Sequence, residues 1–261
     1  MTIKKILHPK LEFNDISYGF FTRKGGCSKS PYDSLNCSFN VEDNEKDVKK
    51  NLMLVCNELK LEELIKLNQI HSSKVFVINS KDDQVNNIEA DGLVTKLRGI
   101  GLSILAADCA PILFYDKISK IIGACHAGWR GAINGIIEAT VASMEDLGSK
   151  RNNIISIIGP TIHRDSYEIR EDVASVVKKT KFYKKNHSIL FPVQKDKYLF
   201  DLPLLVKESL KFSKISDLGD INMNTYQKSN LFFSHRKSTQ KNLLKQGKTG
   251  RHISVIGLIN N

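Results

Sequence analysis

Two runs near the middle of the chain decide how it folds: GLSILAADCAPILFYD (101–116) and KIIGACHAGWRGA (120–132). The first opens with a continuous apolar stretch, 101–107, the pattern of a strand buried on both faces, and Asp108-Cys109-Ala110-Pro111 ends it. Extended chain resumes at 112–115. A second buried strand, 120–125, closes at His126-Ala127-Gly128-Trp129-Arg130-Gly131. A long amphipathic helix is expected next, with Ile133, Ile136, Ile137, Thr140, Val141, Met144 and Leu147 on one face and Gly148 as its C-terminal cap.

Outward from this centre, residues 16–21, 74–78, 154–158 and 253–259 read as further strands. Asp43 or Asn44 can cap a helix reaching about residue 60, because Val48, Leu52, Val55 and Leu59 recur at helical spacing. Residues 171–179 and 203–212 are also expected to be helical, the latter capped by Asp201, since proline is tolerated in a first turn. A loop rich in Lys, Gln and Gly precedes the last strand. No repeat and no low-complexity linker divides the chain. Residues 1–261 therefore read as a single domain of the α+β class, with mixed β-sheets flanked by helices.

Composition excludes several classes. With 261 residues, 41% of them apolar and 26% charged, the chain can bury a sizeable core. No apolar run approaches the roughly 18 residues that span a bilayer, and the N-terminus lacks the apolar segment of a secretory signal. A cytoplasmic protein without membrane contact is expected. The formal charge of +11 comes from lysines scattered along the chain, densest at 178–185 and 237–248, with few aromatics among them. Nucleic-acid sites favour arginine, whose planar fork grips phosphate, so no nucleic-acid partner is expected. Five cysteines (27, 37, 56, 109 and 125) form no CxxC pair and read as free thiols.

Three residues at strand termini could carry chemistry together: His71, Cys109 and His126. A thiolate and two imidazoles suit Zn²⁺ and leave a fourth position for water, whose pKa such a metal lowers to about 7. The same residues allow a thiol nucleophile, Cys109, with His126 as base and Asp108 or His71 as its orienter. They also allow a plain reading in which Cys109 is a buried thiol and the histidines cap strand ends. Cys125, one residue before His126, alternates to the opposite face and reads as core. The turn Arg23-Lys24-Gly25-Gly26 and the strand-to-helix junction at Arg130 could hold an anion through amides and guanidinium groups. Trp129 serves equally as core anchor or ligand-stacking surface. Arg236 in Ser234-His235-Arg236 and Arg251 in Thr249-Gly250-Arg251 are further basic candidates, though each reads first as structural or solvent-facing. Asp91 and Asp108 could supply supporting or acid–base carboxylates.

At these residues the sequence resembles a known family. The matching segments run in order through nearly the whole chain: GFFTRKGGCS (19–28), SLNCSFNVEDNEKDVKKN (34–51), QIHSSKV (69–75), ADGLVT (90–95), ADCAPILFYD (107–116), GACHAGWRGA (123–132), IGPTI (158–162) with Tyr167-Glu168, FFSHR (232–236) and TGR (249–251). They are similar to the purine nucleoside phosphorylase family long described as polyphenol oxidase or multicopper laccase, some members of which are called peptidoglycan editing factors. The resemblance implies α/β/β/α-like layers and a zinc site made by His71, Cys109 and His126. It also implies phosphorolysis of adenosine, inosine and methylthioadenosine, with deamination of adenosine. In that reading Cys109, Asp108 and Arg23 are catalytic, Asp108 as proton shuttle, and Arg23, Gly25, Gly26 and Arg130 meet phosphate. The expected partners are purine nucleosides and phosphate, in a monomer or homodimer.

Composition weighs against the laccase label. Multicopper oxidases hold several coppers on many histidines, often in His-X-His pairs, and this chain has seven histidines and no such pair. Zinc is expected rather than copper, because a cytosolic mixed N/S site with an open position suits it. Two competing functions remain: a hydrolase built on Cys109 and His126, either a thiol enzyme or a zinc amidase acting on peptidoglycan precursors, and a metal-containing binding protein without turnover.

Overall fold

A computed structural model describes residues 2–81, 83, 88–241 and 248–260. The chain begins with β1 (Lys5–Ile6) and β2 (Ile16–Phe21), then α1 (Glu45–Leu59), β3 (Glu63–Ile65), β4 (Val75–Ile78) and β5 (Gly92–Thr95). The centre supplies β6 (Ile100–Ala106), β7 (Ala110–Asp116), β8 (Ile121–Ala127), α2 (Trp129–Ile133), α3 (Ile136–Asp146) and β9 (Ile154–Ile158). There follow β10 (Glu168–Arg170), α4 (Glu171–Lys178), α5 (Lys181–Lys185), β11 (Leu190–Gln194), β12 (Lys197–Phe200), α6 (Leu202–Phe212), β13 (Asp217–Asp220), α7 (His235–Lys241) and β14 (His252–Leu258).

Two large mixed sheets lie face to face. One has the order β1-β2-β14-β6-β3, the other β13-β9-β7-β8-β5-β4, and a small third sheet has the order β10-β12-β11. In the six-stranded sheet the central pairs are antiparallel, while β13 with β9 and β4 with β5 are parallel. Side chains alternate across a strand, so each central strand feeds two cores. Leu113 and Tyr115 of β7 pack between the sheets with Phe20, Leu102, Ile104 and Ile256. Ile112 and Phe114 of the same strand face the other way, onto α3 and α6 through Ile136, Ile137, Val141, Leu205 and Leu210. On the far face of the five-stranded sheet, Phe21, Ile253 and Val255 are covered by Val55 and Leu59 of α1. The result is the expected α/β/β/α layering. Cys125 packs with the helix-side core, as its alternation against His126 requires.

Most expected elements form with their expected caps. Asn44 accepts from Lys46 N–H at the start of α1, and Asp201 accepts from Leu204 N–H at the start of α6. Gly148 adopts φ +114° beyond the end of α3, and its N–H donates to the Glu145 carbonyl. Three expectations are corrected. The long helix after Trp129 is broken into α2 and α3 at Asn134-Gly135, where Gly135 takes φ +93°, a conformation open to a residue without Cβ. That break turns the apolar face of α3 onto the sheet. β8 runs on to Ala127, so His126 lies within the strand rather than beyond it. The segment before β14 is not all loop, because 235–241 is α7; residues 242–247 of that lysine-rich stretch lie outside the described residues.

Candidate metal centre and cavity

His126 sits on β8 and Cys109 in the turn between β6 and β7, whose register sets Pro111 opposite His126. His71 lies in the connection from β3 to β4, with φ +60°. The pairing of β7 with β8 thus brings two of the three together, and the third needs a separate anchor. That anchor is Asp91, fully buried at the entry to β5. Its carboxylate accepts from three successive amides, Ile70 N–H at 3.2 Å, His71 N–H at 3.0 Å and Ser72 N–H at 2.6 Å, and from Ser72 Oγ at 2.8 Å. The same carboxylate lies 2.9 Å from His126 Nδ1. Burial pushes the Asp91 carboxyl up, but these donors and the neighbouring imidazole outweigh it and hold it below its ordinary value. Ionised Asp91 can only accept, so His126 Nδ1 carries the proton and Nε2 is left to face the site.

The ligand atoms of His71, Cys109 and His126 all fall within 4.8 Å of one another. Cys109 Sγ is 3.8 Å from His71 Nε2, close to the roughly 3.5 Å between S and N on a tetrahedral metal with ordinary bond lengths. The two imidazole rings meet edge to face with centroids 4.8 Å apart. Among the described residues no other group of three His, Cys, Asp or Glu side chains converges in this way. The donor set and its supporting carboxylate therefore fit a metal ion with an open position. Gly128 completes the geometry: a Cβ there would lie 2.8 Å from His71 Cδ2 and 2.9 Å from Cys109 Sγ.

Electrostatics couple the three side chains. Burial raises the Cys109 thiol, but His126 and His71 outweigh burial and bring it down to about 6. Burial lowers His126, yet the Cys109 thiolate and Asp91 carry it up to about 9. Without metal the pair is therefore a thiolate facing an imidazolium. Cys37 and Cys125 have no such partners, and burial drives both thiols upward.

These residues line an open cavity of about 450 Å³. Apolar Leu67, Leu105, Ile162 and Leu202 share its wall with the aromatic rings of Trp129 and Tyr167. Arg130, Arg236 and Arg251 also line it, the last two while donating to backbone carbonyls. Trp129 packs against the helix-side core and also lines the cavity.

Other expected site residues are engaged elsewhere. The Arg23 guanidinium donates to Asp33 O at 2.6 Å and Ser229 O at 3.2 Å, pairs with Asp33 Oδ1 and lies over the Phe233 ring. Arg23, Gly25 and Gly26 do not line the cavity. The Gly26 amide donates to Ser34 Oγ, and a Cβ on Gly26 would lie 2.4 Å from the Ser34 carbonyl. This turn is a packed buttress that closes on itself rather than an anion cradle. Asp108 does reach the cavity, at φ +92°, but its carboxylate already accepts from Thr225 Oγ1 at 2.6 Å, Ser234 Oγ at 3.0 Å and Arg236 N–H at 2.7 Å. Its backbone carbonyl accepts from Thr161 Oγ1 and Ile162 N–H. Asp108 thus ties the Cys109 turn to the segments carrying Thr225 and Arg236. The orienter of His126 is Asp91, not Asp108 or His71.

Comparison with known proteins sets this site in context. A family model described as multi-copper polyphenol oxidoreductase laccase matches residues 17–259. The chain is 32% identical over 223 residues to purine nucleoside phosphorylase RP494 of Rickettsia prowazekii, covering 85% of this chain and 89% of that one. It is 29% identical over 257 residues to purine nucleoside phosphorylase YlmD of Bacillus subtilis, covering 94% and 89%. Among solved structures, Neisseria meningitidis protein NMB0706 superposes with a TM-score of 0.86 at 28% identity over the whole of both chains.

Proposed function

The chain belongs to the multi-copper polyphenol oxidoreductase laccase family, and from that membership and the cavity we propose that it is a zinc-dependent purine nucleoside phosphorylase that also deaminates adenosine. The observation that carries the reading is the meeting of a His-Cys-His set, two aromatic rings and three arginines in one cavity of nucleoside size. In phosphorolysis an oxygen of inorganic phosphate bonds to ribose C1′ as the C1′–N9 bond breaks. The electron pair leaves with the purine, which takes up a proton, and ribose 1-phosphate remains. Adenosine, inosine and methylthioadenosine are the proposed substrates. In deamination, water replaces the C6 amino group of adenosine and ammonia leaves.

Within this reading Trp129, Tyr167 and Leu202 form the apolar surface on which the purine rests. His71, Cys109 and His126 hold the metal, and Asp91 fixes the tautomer and orientation of His126. Zinc held by these residues would supply Lewis-acid chemistry. Asp108 acts as a positioning residue for Cys109 and Arg236, since three donors already bind its carboxylate. Zinc is favoured over copper because a mixed N/S donor set with an open position suits it.

The test is product analysis of the metal-loaded protein with adenosine, with and without phosphate. Adenine release that requires phosphate, with inosine formed independently of it, is the expected result. No product under either condition overturns the proposal, as does full activity in Cys109→Ala. The Cys109–His126–Asp91 line of thiol, imidazole and carboxylate favours one second reading, a thiol hydrolase. A chelator that spares turnover while alkylation of Cys109 abolishes it would select that reading.

A further inference from the structure

The cavity carries more positive charge than its metal set explains. Arg130, Arg236 and Arg251 all line it, and none of them forms an ion pair with a carboxylate among the described residues. Arg236 and Arg251 are half-buried, where an unpaired charge is costly unless an anion joins it. Both are also held in place before any ligand arrives. Arg251 donates through Nη1 to the carbonyls of Thr249 at 2.9 Å and Gly250 at 3.1 Å, and its amide donates to Asn36 Oδ1. Arg236 donates through Nη1 to Glu168 O at 2.7 Å, lies over the Tyr167 ring at 5.1 Å, and its amide is bound by Asp108. Among the described residues each guanidinium is thus pinned through Nη1 alone, leaving Nε and Nη2, the fork that matches an oxyanion, without a partner.

We propose that Arg236 and Arg251 form the oxyanion subsite of this cavity and hold inorganic phosphate beside the metal set, with Arg130 at the rim. The assignment rests on the phosphorolysis reading for its physiological ligand, and it replaces Arg23 and the Gly25-Gly26 turn. It also explains why Asp108 is spent on structure: by binding Arg236 N–H and holding the Cys109 turn, it fixes the anion subsite relative to the metal.

Titration calorimetry of the metal-loaded protein with inorganic phosphate tests the subsite without turnover. Arg251→Gln and Arg236→Gln are each expected to weaken phosphate binding about ten- to a hundredfold. In phosphorolysis they should raise KM for phosphate by a similar factor and leave KM for the nucleoside within about twofold. Arg251→Lys keeps the charge without the fork and should fall between, and it serves if the glutamine variant misfolds. Metal content and melting temperature of each variant report folding separately. Unchanged phosphate affinity in both variants, or a wild-type protein that binds no phosphate, overturns the subsite. Parallel titration with adenosine 5′-monophosphate separates a nucleotide phosphate from free phosphate: arginine-dependent binding of the nucleotide alone overturns the assignment. If wild type binds phosphate through these arginines yet releases no purine, the subsite stands and only the phosphorylase reading falls.

Discussion

Gly128→Ala offers a sharp test of the metal geometry, because one methyl group would press on two ligands at once. The backbone at Gly128 has φ −69° and ψ 166°, open to any residue, so strain in the main chain plays no part. The added Cβ would lie 2.8 Å from His71 Cδ2 and 2.9 Å from Cys109 Sγ, where ordinary contacts are about 3.5–4.0 Å. Both ligands must retreat by roughly 0.7 Å, or the α2 end of the strand–helix junction must move. Overpacking of this kind costs about 1–3 kcal/mol, and it falls on the state in which the ligands are held in place. At about 1.4 kcal/mol per factor of ten, metal affinity should drop about 5- to 140-fold. Without metal, His71 is exposed and can turn away, so the melting temperature of the metal-free variant should stay close to wild type. A competition titration of Zn²⁺ against a chromophoric chelator, beside circular-dichroism melts of both metal-free proteins, measures the two quantities. Zinc affinity within twofold of wild type would refute the three-ligand geometry.

Asp91→Asn should weaken zinc binding about 10- to 100-fold and destabilise the fold by about 3 kcal/mol, because one amide oxygen cannot accept from three amides, a hydroxyl and an imidazole; chelator competition and chemical denaturation check the two effects. In metal-free protein, alkylation of Cys109 should rise with pH to a midpoint near 6 and be close to its plateau at pH 7–8, while Cys37 and Cys125 stay unreactive; mass mapping of alkylated peptides across pH shows this, and a midpoint near 9 would contradict the thiolate–imidazolium pair. Arg23→Gln should cost about 2 kcal/mol of stability through the lost contacts to Asp33 and Ser229 and leave KM for phosphate unchanged; a large rise in that KM would return Arg23 to the site.

How much of this was legible in the sequence depends on the range over which each feature is determined. β2 and β9 coincide with their expected spans because each is a short apolar run bounded by polar residues. Asn44 and Asp201 mark helix starts through local bonds that any reader of the sequence can anticipate. The break at Asn134-Gly135 escaped because apolar residues continue in helical phase through it, and only Gly135 signals the turn. The strands β10, β11 and β12 are short, and β11 is nearly all exposed with Pro192 within it, so no apolar period marks them. His71, Cys109 and His126 stood out as strand-terminal residues and as part of the family pattern. Arg236 and Arg251 belong to that pattern too, but their place in the cavity is not legible locally, because bonds to Asp108 and Asn36, far away in the chain, carry them there. Arg23 misled for the complementary reason: a Gly-Gly turn looks like an anion cradle until its own chain fills it.

The position of β14 also bears on how the molecule can be made. This strand lies between β2 and β6, antiparallel to both, although it is synthesised long after either. A nascent chain that has already emerged as far as β9 can pair β7 with β8 and β9, but β2 and β6 must wait with unpaired edges facing each other across an empty lane. Arg251 enters the cavity at the head of that same strand, one residue before His252. Closure of the sheet and delivery of the last arginine are therefore one event, late in biogenesis. Until β14 arrives the chain exposes two open strand edges and lacks one arginine of the cavity wall, so the interval before its arrival is the one most open to edge-to-edge aggregation.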